Sequence, residues 1–443
     1  MSNSSSNHPS PKAKNSLRLL HTSDWHIGKR LHNEARYEEF AEFLAWILAS
    51  LKHHQVDVLV VAGDVFDTMT PSNKAQELYY DFLGQLHTTQ CRHVIIVAGN
   101  HDSPSFLEAP KSLLKSLDIH IIGTPSAVEQ DCLVLSHQGT PELIVACVPY
   151  LRDKDVRTST LGESLEQKTK NTALGIAQHY AHLAKRCHTL KADIQQKYNK
   201  HVPMIATGHL FAVGATHASV DDGMRDLYVG TLGAVSADSF TTVFDYVALG
   251  HIHAQQSVGK KSHIRYSGSP MAMGFGEVGQ TKYVLLVDFV EAQAPVIEPL
   301  AVPIFRQLHR IHGNLNELEQ RIHQLASQPQ QAQVIDGISI SPKQQWLEVT
   351  YTGRTQLGDL SERIQQMTQD TPLLAINIKN QRLQESTLNT LYHDTPAINS
   401  LSPSDVFGRL LSIQPIDDVD KNSLMHAHAQ LLKQLDEEDV FKE

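Results

Sequence analysis

The sequence predicts an α/β protein with a smaller α+β domain after it, on three observations. Short β-branched runs alternate with amphipathic stretches up to about residue 300. Five of those runs end in residue types that bind metal ions. Near Pro303 the texture changes, and a second strand–helix–strand order begins.

In order, residues 1–16 are polar and Ser-rich and are expected to be a disordered extension, without the apolar stretch of a secretory signal. Over Glu34 to Gln55, Phe40, Phe43, Leu44, Ile47, Leu48 and Leu51 recur at helical spacing, which predicts one helix packed on a sheet. In "VDVLVVAGDVFD" the continuous run Val58–Val61 predicts a strand covered on both faces. Leu78, Phe82, Leu83 and Leu86 predict a second helix before "HVIIVAGNHD" repeats the pattern. Arg157 to Lys200 is polar and spaced for helices flanking the sheet, and strands return at "VPMIATGHL", "DYVALGHIH" and "KYVLLVDFV". The Gln/Pro/Ser-rich "ASQPQQAQVIDGISISPKQ" is expected to be a loop. The strand "QWLEVTY", the helix "LGDLSERIQQMTQ" and the strand "LLAINIK" follow it. The tail is expected to be helical, with Ser402 ahead of Pro403 and Asp405 in a capping pattern. Val406, Phe407, Leu410 and Leu411 offer its apolar face. The domains expected are residues 17–300, residues 301–398 and a tail at 399–443.

Composition narrows the function classes. Hydrophobic residues are 41% and charged residues 19%, a globular balance, and no apolar run approaches the ~20 residues of a membrane span. The chain is expected in the cytoplasm. A net charge of −10 argues against a protein that coats DNA through its own Lys and Arg. DNA as a substrate is still allowed, because ions in a site or a basic partner can supply positive charge. Four widely spaced cysteines without a CxxC pair suggest reduced thiols, not a zinc knuckle or a disulfide framework.

The chemistry lies in the ends of the runs. "LRLLHTSDWHIG" ends in Asp24 and His26, "VLVVAGDVFD" in Asp64 and Asp67, and "VIIVAGNHD" in Asn100, His101 and Asp102. "MIATGHL" ends in His209, and "YVALGHIH" in His251 and His253. D-x-H and H-x-H spacing puts alternate side chains on one face of an extended segment, so both members of each pair can enter one crevice. Taken singly, most of these motifs read as turns or caps. Five together, each after an apolar run, read as a site at strand carboxyl ends. Imidazole, carboxylate and carboxamide suit manganese, iron or zinc, and no thiolate biases the choice. Seven ligands suit two ions sharing one carboxylate, which can clamp both oxygens of an in-line phosphoryl displacement.

These residues resemble the calcineurin-like metallophosphoesterase superfamily, whose signature is D-x-H, G-D, G-N-H-D/E, a single His and G-H-x-H. Within it, "HTSDWHIGK", "VAGDVFDT", "AGNHDSP", "ALGHIH" and "YSGSPMAMGFGE" are similar to its bacterial DNA-nuclease branch. The resemblance implies a β-sandwich flanked by helices, with an α+β domain that caps the DNA. It implies two divalent ions, Mn²⁺ expected. One would be held by Asp24, His26, Asp64 and His253, the other by Asp64, Asn100, His209 and His251, with His101 near the leaving oxygen. Asp67 stands where other branches have a second histidine, which leaves the alignment of the substrate phosphate open. By composition "SGSPMAMGFGE" reads as a structural hairpin, and the resemblance puts it beside the nuclease site.

The resemblance further implies that Val406, Phe407, Leu410 and Leu411 dock on the coiled-coil base of an ATPase partner. It also implies that two nuclease subunits pair through helices near residues 73–87 and 103–117, giving a heterotetramer with DNA as substrate. A small-molecule phosphodiesterase or phosphatase would use the same ligands, but needs neither the accessory domain nor the tail. A scaffold without activity is disfavoured by the intact ligand set.

Overall fold

The computed structural model describes residues 11–381 except 15, 158–161, 214, 216–234, 241–242, 292 and 354–356, together with residues 407–408, 411, 420–425 and 427–428. Two six-stranded sheets dominate. The first runs, in spatial order, Val296–Ala301, Tyr283–Phe289, Leu17–Thr22, Val58–Ala62, His93–Val97, Ile119–Ile122. The second runs Gln256–Val258, Lys261–Tyr266, Tyr246–Gly250, Met204–His209, Thr140–Ala146, Cys132–His137. The five ligand-bearing strands are parallel neighbours, three in the first sheet and two in the second.

Alternation along the strands builds three layers. Val58 and Val60 face Ile95, Val97, Ile205, Tyr246 and Ala248 in the core between the sheets. Leu59 and Val61 face the other way, against the helices Tyr37–His53 and Asn73–Gln85. The second sheet is covered by Leu165–Tyr198, one continuous 34-residue helix where the sequence suggested several. Ser164 and Gln167 close its start as a capping box.

The Gln-rich segment is not a loop. Gln333–Ile335 and Ile338–Ile340 pair antiparallel around Asp336 and Gly337, both at positive φ (53° and 82°), as a tight hairpin turn requires. Asp336 accepts from Trp46 Nε1 at 3.1 Å, and Lys343 pairs with Glu42, so the hairpin is seated on the first helix. The segment after Tyr266 is not a hairpin either. Residues 267–282 carry no strand, only a 3₁₀ turn at Phe275–Glu277, with Met271, Met273 and Phe275 buried.

The chain divides into two compact units with several crossings. One holds residues 1–309, 328–347 and 372–376, and the other 310–327, 348–371 and 377–443. In the second unit Glu348 is a buried hub, taking Arg310, Lys379 and Asn377. There too the Phe407 ring stacks on His428 at 4.1 Å, and Leu411 is buried. Val406, Leu410 and the capping pattern from Ser402 to Asp405 lie outside the described residues. No helix among the described residues is long and apolar enough to cross a membrane.

Candidate metal centre

All seven predicted ligands and His101 meet at the carboxyl ends of the five strands. The residue between each ligand pair explains the spacing. Trp25 is fully buried, donates to Thr22 Oγ1 at 2.9 Å and packs edge-on against Phe43 and Phe82. Ile252 is buried in the core under the second sheet. Anchoring these apolar residues turns Asp24, His26, His251 and His253 into the crevice.

The backbone there is held in an uncommon conformation. Asp24, His26, Asp64 and His251 have φ of 53°, 49°, 52° and 101°, which costs on the order of 1–3 kcal/mol each. Neighbouring loops fix it. Asp24, His26 and Ile27 donate their N–H groups to the carbonyls of Gly63, Asp64 and Val65 at 2.9–3.0 Å. His251 N–H donates to Asp24 Oδ1 at 2.9 Å, and His101 N–H to Asp64 Oδ1 at 2.8 Å. Asp102 accepts from the N–H groups of Val65, Phe66 and Gly99, which locks two strand ends together. Burial and the Asp64 charge push the Asp102 carboxyl up to about 6.

Polar atoms converge as a metal centre requires. His209 donates from Nδ1 to the Ala62 carbonyl at 2.9 Å, so its Nε2 faces inward. That Nε2 lies 3.0 Å from Asn100 Oδ1 and 3.2 Å from Asp64 Oδ2, close enough for one cation to be shared by all three. His251 Nδ1 reaches the same Asn100 oxygen at 3.0 Å. Asp64 Oδ2 is also 3.6 Å from His26 Nε2, so one carboxylate oxygen stands between two imidazoles. Ligand atoms of Asp24, His26 and His253 lie within 4.8 Å of one another, as do those of Asp24, Asp64 and His209. The donor set fits two divalent ions better than one.

The charges agree with the geometry. Burial opposes an ionised Asp64, but His209, His26 and His101 hold its carboxyl well below the usual range. Burial would also lower the pKa of His209, yet Asp64 lifts it to about 9. Burial and the nearby His209 lower the pKa of His251 to about 4.

Three supporting groups complete the picture. The Asp67 carboxylate lies 3.3 Å from His26 Nδ1, without the alignment of a hydrogen bond, and 3.1 Å from Lys29. Its carbonyl accepts from His101 Nδ1 at 2.9 Å, which aims the far nitrogen of that ring away from Asp67. Glu277, which sequence reasoning missed, lies 3.3 Å from His253 Nδ1 and pairs with Lys282. Burial opposes its charge, but His253 and Lys282 hold its carboxyl down to about 2. No local pattern singles Glu277 out, since it sits 24 residues beyond its histidine. Ser23, also missed, joins Asp24 Oδ2 to Ser267.

Comparison with known proteins identifies the family. Residues 17–255 match the model of the calcineurin-like phosphoesterases, and residues 304–415 that of the type 5 capsule protein repressor C-terminal domain. The SbcD component of the SbcCD nuclease of Escherichia coli K12 is 34% identical over 95% of this chain and 98% of its own. Its counterpart in Bacillus subtilis is 33% identical over 61% of this chain and 66% of its own. That of Rhodobacter capsulatus is 33% identical over 65% and 70%. The chain therefore belongs to the calcineurin-like phosphoesterases and, among them, to the SbcD family of nuclease components.

Proposed function

We propose that this chain is the hydrolytic subunit of an SbcCD-type DNA nuclease, cutting phosphodiester bonds at double-strand ends and at hairpins or single strands during repair and recombination. The observation that carries the reading is the convergence of five strand ends on one N/O donor set, in a chain with end-to-end similarity to that family. Asp24, His26, Asp64 and His253 would hold one divalent ion, and Asp64, Asn100, His209 and His251 the other. When bound, two such ions supply charge stabilisation for the entering and leaving oxygens of an in-line displacement. Mn²⁺ is the ion we assign: the imidazole, carboxylate and carboxamide donors accept manganese, iron or zinc, and the resemblance to the bacterial nuclease branch implies manganese among them.

The chain's own residues set the chemistry up. His101, half-buried and fixed through Nδ1, holds its other ring nitrogen free to carry a proton toward the leaving oxygen. Asp67 and Glu277 orient His26 and His253 from behind. Asp102 keeps the loops of Asp64 and Asn100 in register.

Residues 17–300 would form the nuclease domain, 301–398 a DNA-capping domain, and 399–443 a tail that docks an SbcC-type ATPase through Val406, Phe407, Leu410 and Leu411. Two nuclease subunits would pair within a heterotetramer, in the cytoplasm where chromosomal DNA lies. The test is cleavage of labelled hairpin DNA and of p-nitrophenyl phosphoesters by the purified chain in Mn²⁺, with His101→Ala as the blank. DNA cleavage with a silent blank is expected. Turnover of the small esters alone would replace the nuclease reading with a small-molecule phosphodiesterase.

A further inference from the structure

A second set of ligand-type side chains gathers at the opposite end of the strands. His93 opens the strand His93–Val97, whose five residues put it roughly 13 Å from the end that leads to Asn100. In the parallel pairing with the edge strand Ile119–Ile122, Ile95 is the partner of His120. Ile95 belongs to the core between the sheets, so His93 and His120 share the face turned toward the second sheet. Asp118 turns the chain into that edge strand at φ 55°, and its carbonyl accepts from Val94 N–H at 3.0 Å. One ligand atom from each of His93, Asp118 and His120 lies within 4.8 Å of the other two.

His93 is set up as a metal-binding histidine. It is 4% exposed, and its Nε2 lies 3.0 Å from Glu142 Oε1 on the second sheet. Arg92 grips both oxygens of that carboxylate at 2.6–2.8 Å, which keeps it in place. With the Nε2 proton donated to Glu142, Nδ1 carries the lone pair. Nδ1 is buried and has no hydrogen-bond partner. An imidazole backed by a carboxylate on one nitrogen and bare on the other is the arrangement that orients a histidine toward a metal.

We propose that His93, His120 and Asp118 form a further divalent-cation site, of the zinc class, with solvent completing its coordination. Two imidazoles and one carboxylate suit Zn²⁺ better than the oxygen-seeking Mg²⁺ or Ca²⁺. The site clips the edge strand Ile119–Ile122 to its neighbour, so its role is structural. It is independent of the dinuclear centre and of the reaction assigned to that centre.

The test uses the full chain, stripped with chelator and dialysed against low-micromolar Zn²⁺, as wild type, His120→Ala and Asp118→Asn. Bound zinc is counted by mass spectrometry and the melting temperature is read with and without zinc. Both variants are expected to bind one zinc ion fewer per chain than wild type, to lose part of the zinc-induced rise in melting temperature, and to keep Mn²⁺-dependent hydrolysis. Asp118 is exposed, so its variant keeps the test valid should His120→Ala fold poorly. Equal zinc content and an equal rise in all three proteins overturns the site.

Discussion

The Nε2 atoms of His26 and His253 face each other across 3.2 Å, each carried there by the end of a strand from a different sheet. The two rings meet edge to face, and each has a carboxylate oxygen 3.3 Å from its Nδ1. A cation held by both rings, as proposed above, would tie the two sheets together. Metal removal should therefore loosen the fold as well as stop hydrolysis. At a hundredfold excess of free Mn²⁺ over its dissociation constant, binding stabilises by ~2.7 kcal/mol per site. Urea unfolding with Mn²⁺ and with EDTA should differ by at least that, and His253→Ala should shrink the gap. An identical midpoint in both buffers would mean that no cation ties the sheets.

His101 differs in its proposed role from the proposed ligands around it. Its ring touches the centre edge-on, 4.8 Å from the His26 ring, while its backbone N–H, which a substitution keeps, supports Asp64. His101→Ala should lower hydrolysis by about 10²–10⁴-fold, the usual contribution of a positioned acid or base, with metal content unchanged. Metal analysis beside the rate measurement separates this from Asp64→Ala, which should lose both. Loss of metal in His101→Ala would make it a ligand and not a proton carrier.

Gly63 precedes Asp64 for a steric reason. It sits at φ 90°, and a Cβ there would lie 2.2 Å from His209 Nδ1, the atom that donates to the Ala62 carbonyl. Gly63→Ala should displace the His209 ring and break that hydrogen bond. Loss of such a partner costs about 10–100-fold in metal affinity. Titration of Mn²⁺ against the rate should show this as a raised requirement for metal. An unchanged Mn²⁺ requirement would show that the ring does not depend on the contact.

How much of this was legible in the chain follows from how local each signal is. A run of β-branched residues ending in Asp-x-His or His-x-His carries its own strand, its exit and its candidate ligands, whereas the choice of Asp64, Asn100, His209 and His101, and the role of each, came from resemblance. Which strands pair is not local: the resemblance implied a β-sandwich, and the division of the five ends into three and two is seen only in the structure. Glu277 and Ser267 act across long stretches of chain and leave no pattern. The hairpin at Asp336–Gly337 did leave one, an Asp-Gly pair between alternating apolar residues, but the surrounding Gln and Pro masked it. Asp102 was expected beside Asp67 as support behind the ligands, and its three backbone hydrogen bonds make it a brace between two strand ends.

Far from the centre, Glu142 links the sheets through Arg92 and His93. Burial would raise its pKa, but His93 and Arg92 bring it from an ordinary 4.5 down to about 2. A carboxyl held lower in the folded chain than in the unfolded one contributes stability that is fully present above pH 4.5. That contribution fades as the pH falls toward 2, where the folded chain also takes up the proton. Glu142→Gln should accordingly be less stable than wild type at pH 7, and the difference should narrow as the pH drops from 4.5 toward 2. Urea unfolding of both proteins in EDTA across that range measures the difference directly, without any contribution from bound metal. A gap that stays constant, or widens in acid, would show that Glu142 acts through packing and not through its charge.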